Sequence, residues 1–144
     1  MNKKILLAIV TLLLSFHLFA QSTTSSTVAQ HRVVFQLSSN DTSAWKGVMK
    51  NIENLKNAWG DSVSIEVVAY SNGIEFLVIG KTTQQARIAY FKSNGVLFVG
   101  CENTMRERKI SKETIIPEAG FVKSGVAEVI LKQEQGWSYI KAGF

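Results

Sequence analysis

The sequence offers one thiol. Cys101 is the only cysteine in 144 residues, and it falls inside Gly95 to Met105, GVLFVGCENTM. Val96, Leu97, Phe98 and Val99 read as a buried strand that ends at Gly100 and delivers Cys101 at its carboxyl end. Asn103 and Thr104, both helix-capping types, follow at once. A thiol between a strand end and a helix start sits where open α/β sheets place their chemistry, and the amides opening that helix favour its thiolate. Arg106 adds to this if it folds back, whereas Glu102 opposes it.

The remaining residues decide what such a thiolate can do. There are two histidines: His17 lies in an apolar leader, and His31 begins the first predicted strand, at the sheet edge opposite Cys101. A Cys–His dyad within one chain is therefore unavailable, and one Cys with one remote His gives no metal site. No CxxC pair supports dithiol exchange, and no GxGxxG or GxxxxGK[ST] loop cradles a phosphate. Asn72-Gly73 is at most a weak substitute for such a loop, and a plain turn accounts for it. No metal and no cofactor are expected.

A thiolate without a base can still accept a sulfane sulfur as a persulfide and hand it to another thiolate. Two other readings stay open. Cys101 is a small packed hydrophobe in a binding module, or it is a redox sensor that oxidises or pairs between subunits.

The elements that must position Cys101 read as an alternating chain. Arg32 to Leu37 is a strand, followed by the turn Ser38 to Asp41. Trp45, Val48, Met49, Ile52, Leu55 and Trp59 then form a helical stripe, with Asp41 or Thr42 as cap and Gly60 as stop. Val63 to Ala69 is the second strand, Ile74 to Val78 a short helical turn, and Thr82 with Gln85 a capping box for a helix through about Lys92. After Cys101 come a short helix, a turn around Thr114 to Ile116 stopped by Pro117, and a very short strand at Phe121-Val122. Ser124 caps a last helix, Gly125 to Gln135, with Val126, Val129, Ile130 and Gln133 facing inward; Trp137 to Lys141 is the final strand.

This alternation predicts a three-layer, flavodoxin-like α/β fold with a mostly parallel five-stranded sheet covered on both faces. The loops at the carboxyl strand ends then share one edge. Cys101 faces a rim of hydroxyls, amides and glycines drawn from Asn72, Gly73, Asn103, Thr104, Ser124 and Gly125.

The chain divides into three parts. Residues 1–20 read as a signal peptide: Asn2, Lys3 and Lys4 precede an apolar run, Ile5 to Phe19, and Ala20 offers a cleavage position. That run is shorter than the roughly 20 residues of a spanning helix. Residues 21–30 are a Ser/Thr-rich flexible leader, and 31–144 form one domain. The expected location is periplasmic or secreted, with no membrane attachment after cleavage. Loss of Lys3 and Lys4 takes two charges from the formal +5. What remains is too mild and too scattered for a nucleic-acid footprint.

Three segments carry a resemblance: HRVVFQLS at the front, GVLFVGCENTM in the middle and KSGVAEVILKQEQGWSYIKAGF at the end. With them the chain resembles exported members of the DsrE/DsrF-like family from about His31 to Phe144. The resemblance implies a flavodoxin-like fold, homo-oligomers (trimers or hexamers), and sulfur relay through Cys101. The partners it implies are a sulfur donor or acceptor protein, or a small sulfane-sulfur compound. Lys123 stands where the pattern has proline before Ser-Gly. Trp137, Tyr139, Ile140 and Phe144 are a large apolar load for a terminal strand, and a subunit interface would account for it.

Overall fold

Strand side chains alternate between the faces of a sheet, and here that alternation splits the core into two unequal halves. The computed structural model describes residues 30–142. Five strands, β1 (His31–Leu37), β2 (Val63–Ala69), β3 (Leu97–Cys101), β4 (Gly120–Val122) and β5 (Ser138–Ala142), form one sheet in the order β4-β3-β2-β1-β5. All four pairings are parallel. The signal-peptide segment, the leader up to residue 29 and Phe144 lie outside the described residues.

One face is deeply covered. Val33, Phe35 and Leu37 of β1 and Ile65 and Val67 of β2 meet α1 (Thr42–Trp59) and α2 (Gln85–Ser93) through Trp45, Val48, Met49, Ile52, Ile88 and Phe91. The helical stripe read from the sequence is this face, and Asp41 caps α1 by accepting from the Ser43 amide at 2.8 Å. Trp59, at the stripe's end, is exposed and stacks on His31 instead, with ring centroids 3.8 Å apart.

The other face carries one helix among the described residues, α4 (Gly125–Glu134), which crosses from β4 back over β2 and β1 to reach β5. Its buried cluster is small: Val34, Val68 and Val129. Of the four residues expected to face inward from α4, Val129 alone is buried. Val126 and Ile130 are 55% and 51% exposed. The reason is that α4 has the sheet on one side only: Val129 meets Val34 and Val68, and no second helix of the described residues covers Val126 and Ile130.

Two boundaries also move. The Thr82–Gln85 capping box does not form: Thr82 accepts from the Gln84 amide at 3.1 Å, one turn before α2 starts at Gln85. The turn expected at Thr114 to Ile116 lies earlier, at Lys112–Thr114, because Ile115 and Ile116 are drawn into the core. No helix among the described residues is long and apolar enough to cross a membrane.

Candidate functional site

Cys101 is the last residue of β3 and also the cap of α3 (Glu102–Glu107). Neither Asn103 nor Thr104 caps that helix. The sulfur itself accepts from the Thr104 amide at 3.5 Å. The thiol thus points where a serine or aspartate oxygen would, toward the free amides of a helix start.

The first turn of α4 closes over the same atom. Cys101 is in register with Val122 of β4. The chain then turns at Lys123, whose carbonyl lies 4.0 Å from Sγ and also accepts from the Asn103 amide at 3.2 Å. Ser124 caps α4 by accepting from Ala127 at 3.4 Å. Gly125 is buried against Tyr70, and a Cβ at Gly125 would stand 2.9 Å from the Tyr70 Cβ. Glycine is required there by close approach, not by backbone conformation.

Two helix starts therefore converge on one sulfur. Burial pushes the Cys101 thiol up. The Thr104 hydroxyl and amide, with the Gly125 and Asn103 amides, push it down and prevail, leaving it below the ordinary thiol value. Thr104 is itself held: Ser71, at φ 52, donates its amide to the Thr104 hydroxyl at 3.1 Å. That oxygen is then free to turn its proton to the sulfur.

The thiol does not stand open on that rim: Cys101 is 5% exposed. The turn at Lys123 and Ser124 covers it, because β4 is in register with β3 to its last residue and carries the chain directly over the strand end. A groove of about 580 Å³ adjoins it, with Val122, Lys123, Ser124, Ala127 and Leu131 among its walls. Val122, the register partner of Cys101, is thus shared by the groove and the thiol's strand pair.

The expected rim separates into contacts and bystanders. Thr104 bonds the sulfur through its amide, the Asn103 and Gly125 amides lower the thiol's pKa, and Ser124 bears on the site through the helix it caps. Asn72 bonds Arg108 instead. Gly73 is packed so closely that a Cβ would lie 2.1 Å from the Leu37 carbonyl oxygen, so it serves the loop's packing. Arg106 folds back onto Asn103 Oδ1 at 2.7 Å, not onto the thiol, and Glu102 is paired with Lys112 at 2.5 Å. His31 lies at the amino end of β1, opposite Cys101, as the sequence predicts. No group of three or more His, Cys, Asp or Glu placed to hold a metal occurs among the described residues.

Sequence reasoning did not single out Tyr70, Ser71 or the Lys123 carbonyl. Tyr70 carried a signal, being an aromatic one residue past a buried strand, in step with Cys101 on the neighbouring strand.

The model of the DsrE/DsrF-like family matches residues 31–142. A solved structure, of a protein of unknown function from Methanobacterium thermoautotrophicum, is similar with a TM-score of 0.73 and 32% identity. The match covers 77% of this chain and 98% of that one. No curated protein matches the chain.

Proposed function

This chain belongs to the DsrE/DsrF-like family, and on that premise we propose that Cys101 is a persulfide carrier in sulfur relay. The observation that carries the reading is the pair of helix starts aimed at one sulfur, which favours the thiolate without a base. In the loading step the Cys101 thiolate attacks the outer sulfur of a donor persulfide. A Cys101 S–S bond forms, the donor's S–S bond breaks, and the donor leaves as a thiolate. The proton stays on the transferred sulfur. Unloading onto an acceptor thiolate is the same exchange in reverse, so no net oxidant is needed.

The donor or acceptor is a protein or a small sulfane-sulfur compound, reaching the thiol as the Lys123–Ser124 turn gives way. The chain works in the periplasm or outside the cell, after removal of residues 1–20. It works as a homo-oligomer, trimeric or hexameric, that covers the exposed Val126, Ile130 and Leu131 of α4. Polysulfide treatment of the purified chain is expected to add one sulfur atom to Cys101, removable by thiol reductant and absent in Cys101→Ser. An unchanged mass under native conditions would refute the carrier role.

A second reading has an observation of its own. The burial of Cys101 favours a packed thiol in a non-catalytic oligomeric binding or redox-sensing module. Alkylation at pH near 6 separates the two. A fast reaction supports the carrier, and an inert thiol supports the module. A disulfide-linked dimer on non-reducing gels supports the sensor.

A further inference from the structure

Glu66 is out of character with its surroundings. It lies mid-strand in β2 on the α4 face, 2% exposed, opposite Val34 and Leu97 on the flanking strands. Its Oε2 meets Lys132 Nζ at 2.6 Å, and the same ammonium lies 3.5 Å from Glu128 and 4.5 Å from the Trp137 ring centroid. Its Oε1 has no hydrogen-bond partner among the described residues. Burial pushes the Glu66 carboxyl up against the pull of Lys132. Two apolar side chains would fill this space without desolvating charges. Buried ion pairs are better attested as devices that fix register than as sources of stability.

Helix α4 needs such a device. The fully buried apolar contact beneath it is Val129 on Val34 and Val68, with Tyr70, Val99, Val122 and Trp137 half-buried around them, so few apolar side chains fix the helix's register. Two features stop it. Gly125 abuts Tyr70 at one end, and Lys132 is bonded to Glu66 two turns later, on the same helix face. The end held by Gly125 is the end that reaches Cys101.

We infer that Glu66 and Lys132 are positioning residues for Cys101: their ion pair fixes the register of α4 on the sheet and so keeps the Gly125 amide and the Lys123–Ser124 turn at the sulfur. The inference rests on Cys101 being the working group, but not on sulfur passing through it. Titration of the thiol reads its acidity whether or not a persulfide forms, so the two proposals can fail separately.

The test is the rate of Cys101 alkylation by iodoacetamide against pH, in the full chain, for the wild type, Lys132→Met, Lys132→Arg and the double variant Glu66→Leu/Lys132→Met. The midpoint of the curve reports acidity and its plateau reports access. The double variant leaves no buried charge unpaired and is expected to fold. Its midpoint and that of Lys132→Met are expected to rise by about one unit, cutting the thiolate fraction at neutral pH about tenfold. Lys132→Arg, which keeps the pair, is expected to titrate as the wild type. A cooperatively melting double variant with the wild-type midpoint would overturn the inference, even if its plateau moved. So would failure of the double variant to fold, since the pair would then hold the fold rather than the register.

Discussion

The two faces of this sheet are built on different principles. Under α1 and α2 lies a continuous apolar core with Phe35, Met49, Ile52, Phe76 and Phe98 buried throughout. Under α4 there are two buried valines that meet its own Val129, a half-buried fringe of Tyr70, Val99, Val122 and Trp137, an ion pair and the thiol. The thick face holds the chain folded by burial, where no single contact must be in one place. The thin face holds a geometry, set by a missing Cβ at Gly125, a buried charge at Glu66 and a hydroxyl at Thr104. Stability and placement are assigned to opposite sides of one layer of strands.

Substitutions can break or sharpen that contrast, and the largest effect belongs to the thick face. Phe35→Ala is expected to cost about 3–5 kcal/mol in urea unfolding. Gly125→Ala comes next. Alanine favours a helix over glycine, but the contact with Tyr70 forbids its methyl, so a loss of about 1–3 kcal/mol is expected together with a rise in the Cys101 alkylation midpoint.

Thr104→Val is smaller in stability, about 1 kcal/mol, because it strands the Ser71 amide. It too is expected to raise the thiol's midpoint, with Thr104→Ser restoring it. Ile130→Glu is expected to change unfolding by no more than about 0.5 kcal/mol. If a second copy covers α4, it dissociates the oligomer in sedimentation.

The thiol's acidity also enters stability. Cys101 has its folded pKa below its unfolded value, so its contribution is present above the unfolded thiol pKa and is lost as pH falls through the folded one. The stability of the wild type relative to Cys101→Ser is therefore expected to grow from pH 6 to pH 9. A flat difference would mean the two helix starts do not act on the sulfur.

Most of the architecture was legible because it rests on periodicity. The α1 stripe, the β-branched run of β2 and the strand ending in Cys101 each declare their partner in the core. The wide apolar arc of α4 was read by the same rule and misled. Val126 and Ile130 have core chemistry but no neighbour to bury them, and a single chain's sequence does not say whether a second chain supplies one.

At the site, Cys101, Thr104 and Gly125 could be named from residue type and loop order. Their roles could not. That the sulfur is the cap, and that Arg106 turns to Asn103 instead of the thiol, depend on directions fixed only once strand end and helix start are joined. Glu66 was not singled out within the β-branched run of β2, and its burial follows from the return path of α4.

Because the sulfur of Cys101 is what closes the free amide end of α3, chemistry on that atom is also an event in the backbone. A group added to Sγ leaves that atom on its Cβ but takes away its negative charge, so the bond it accepts from the Thr104 amide weakens at the start of Glu102–Glu107. On the carrier role proposed above, loading is expected to register in the solvent exchange of one N–H and in the order of a six-residue segment. On that same proposed role, a partner could tell a loaded chain from an empty one by touching that segment, without reaching the sulfur.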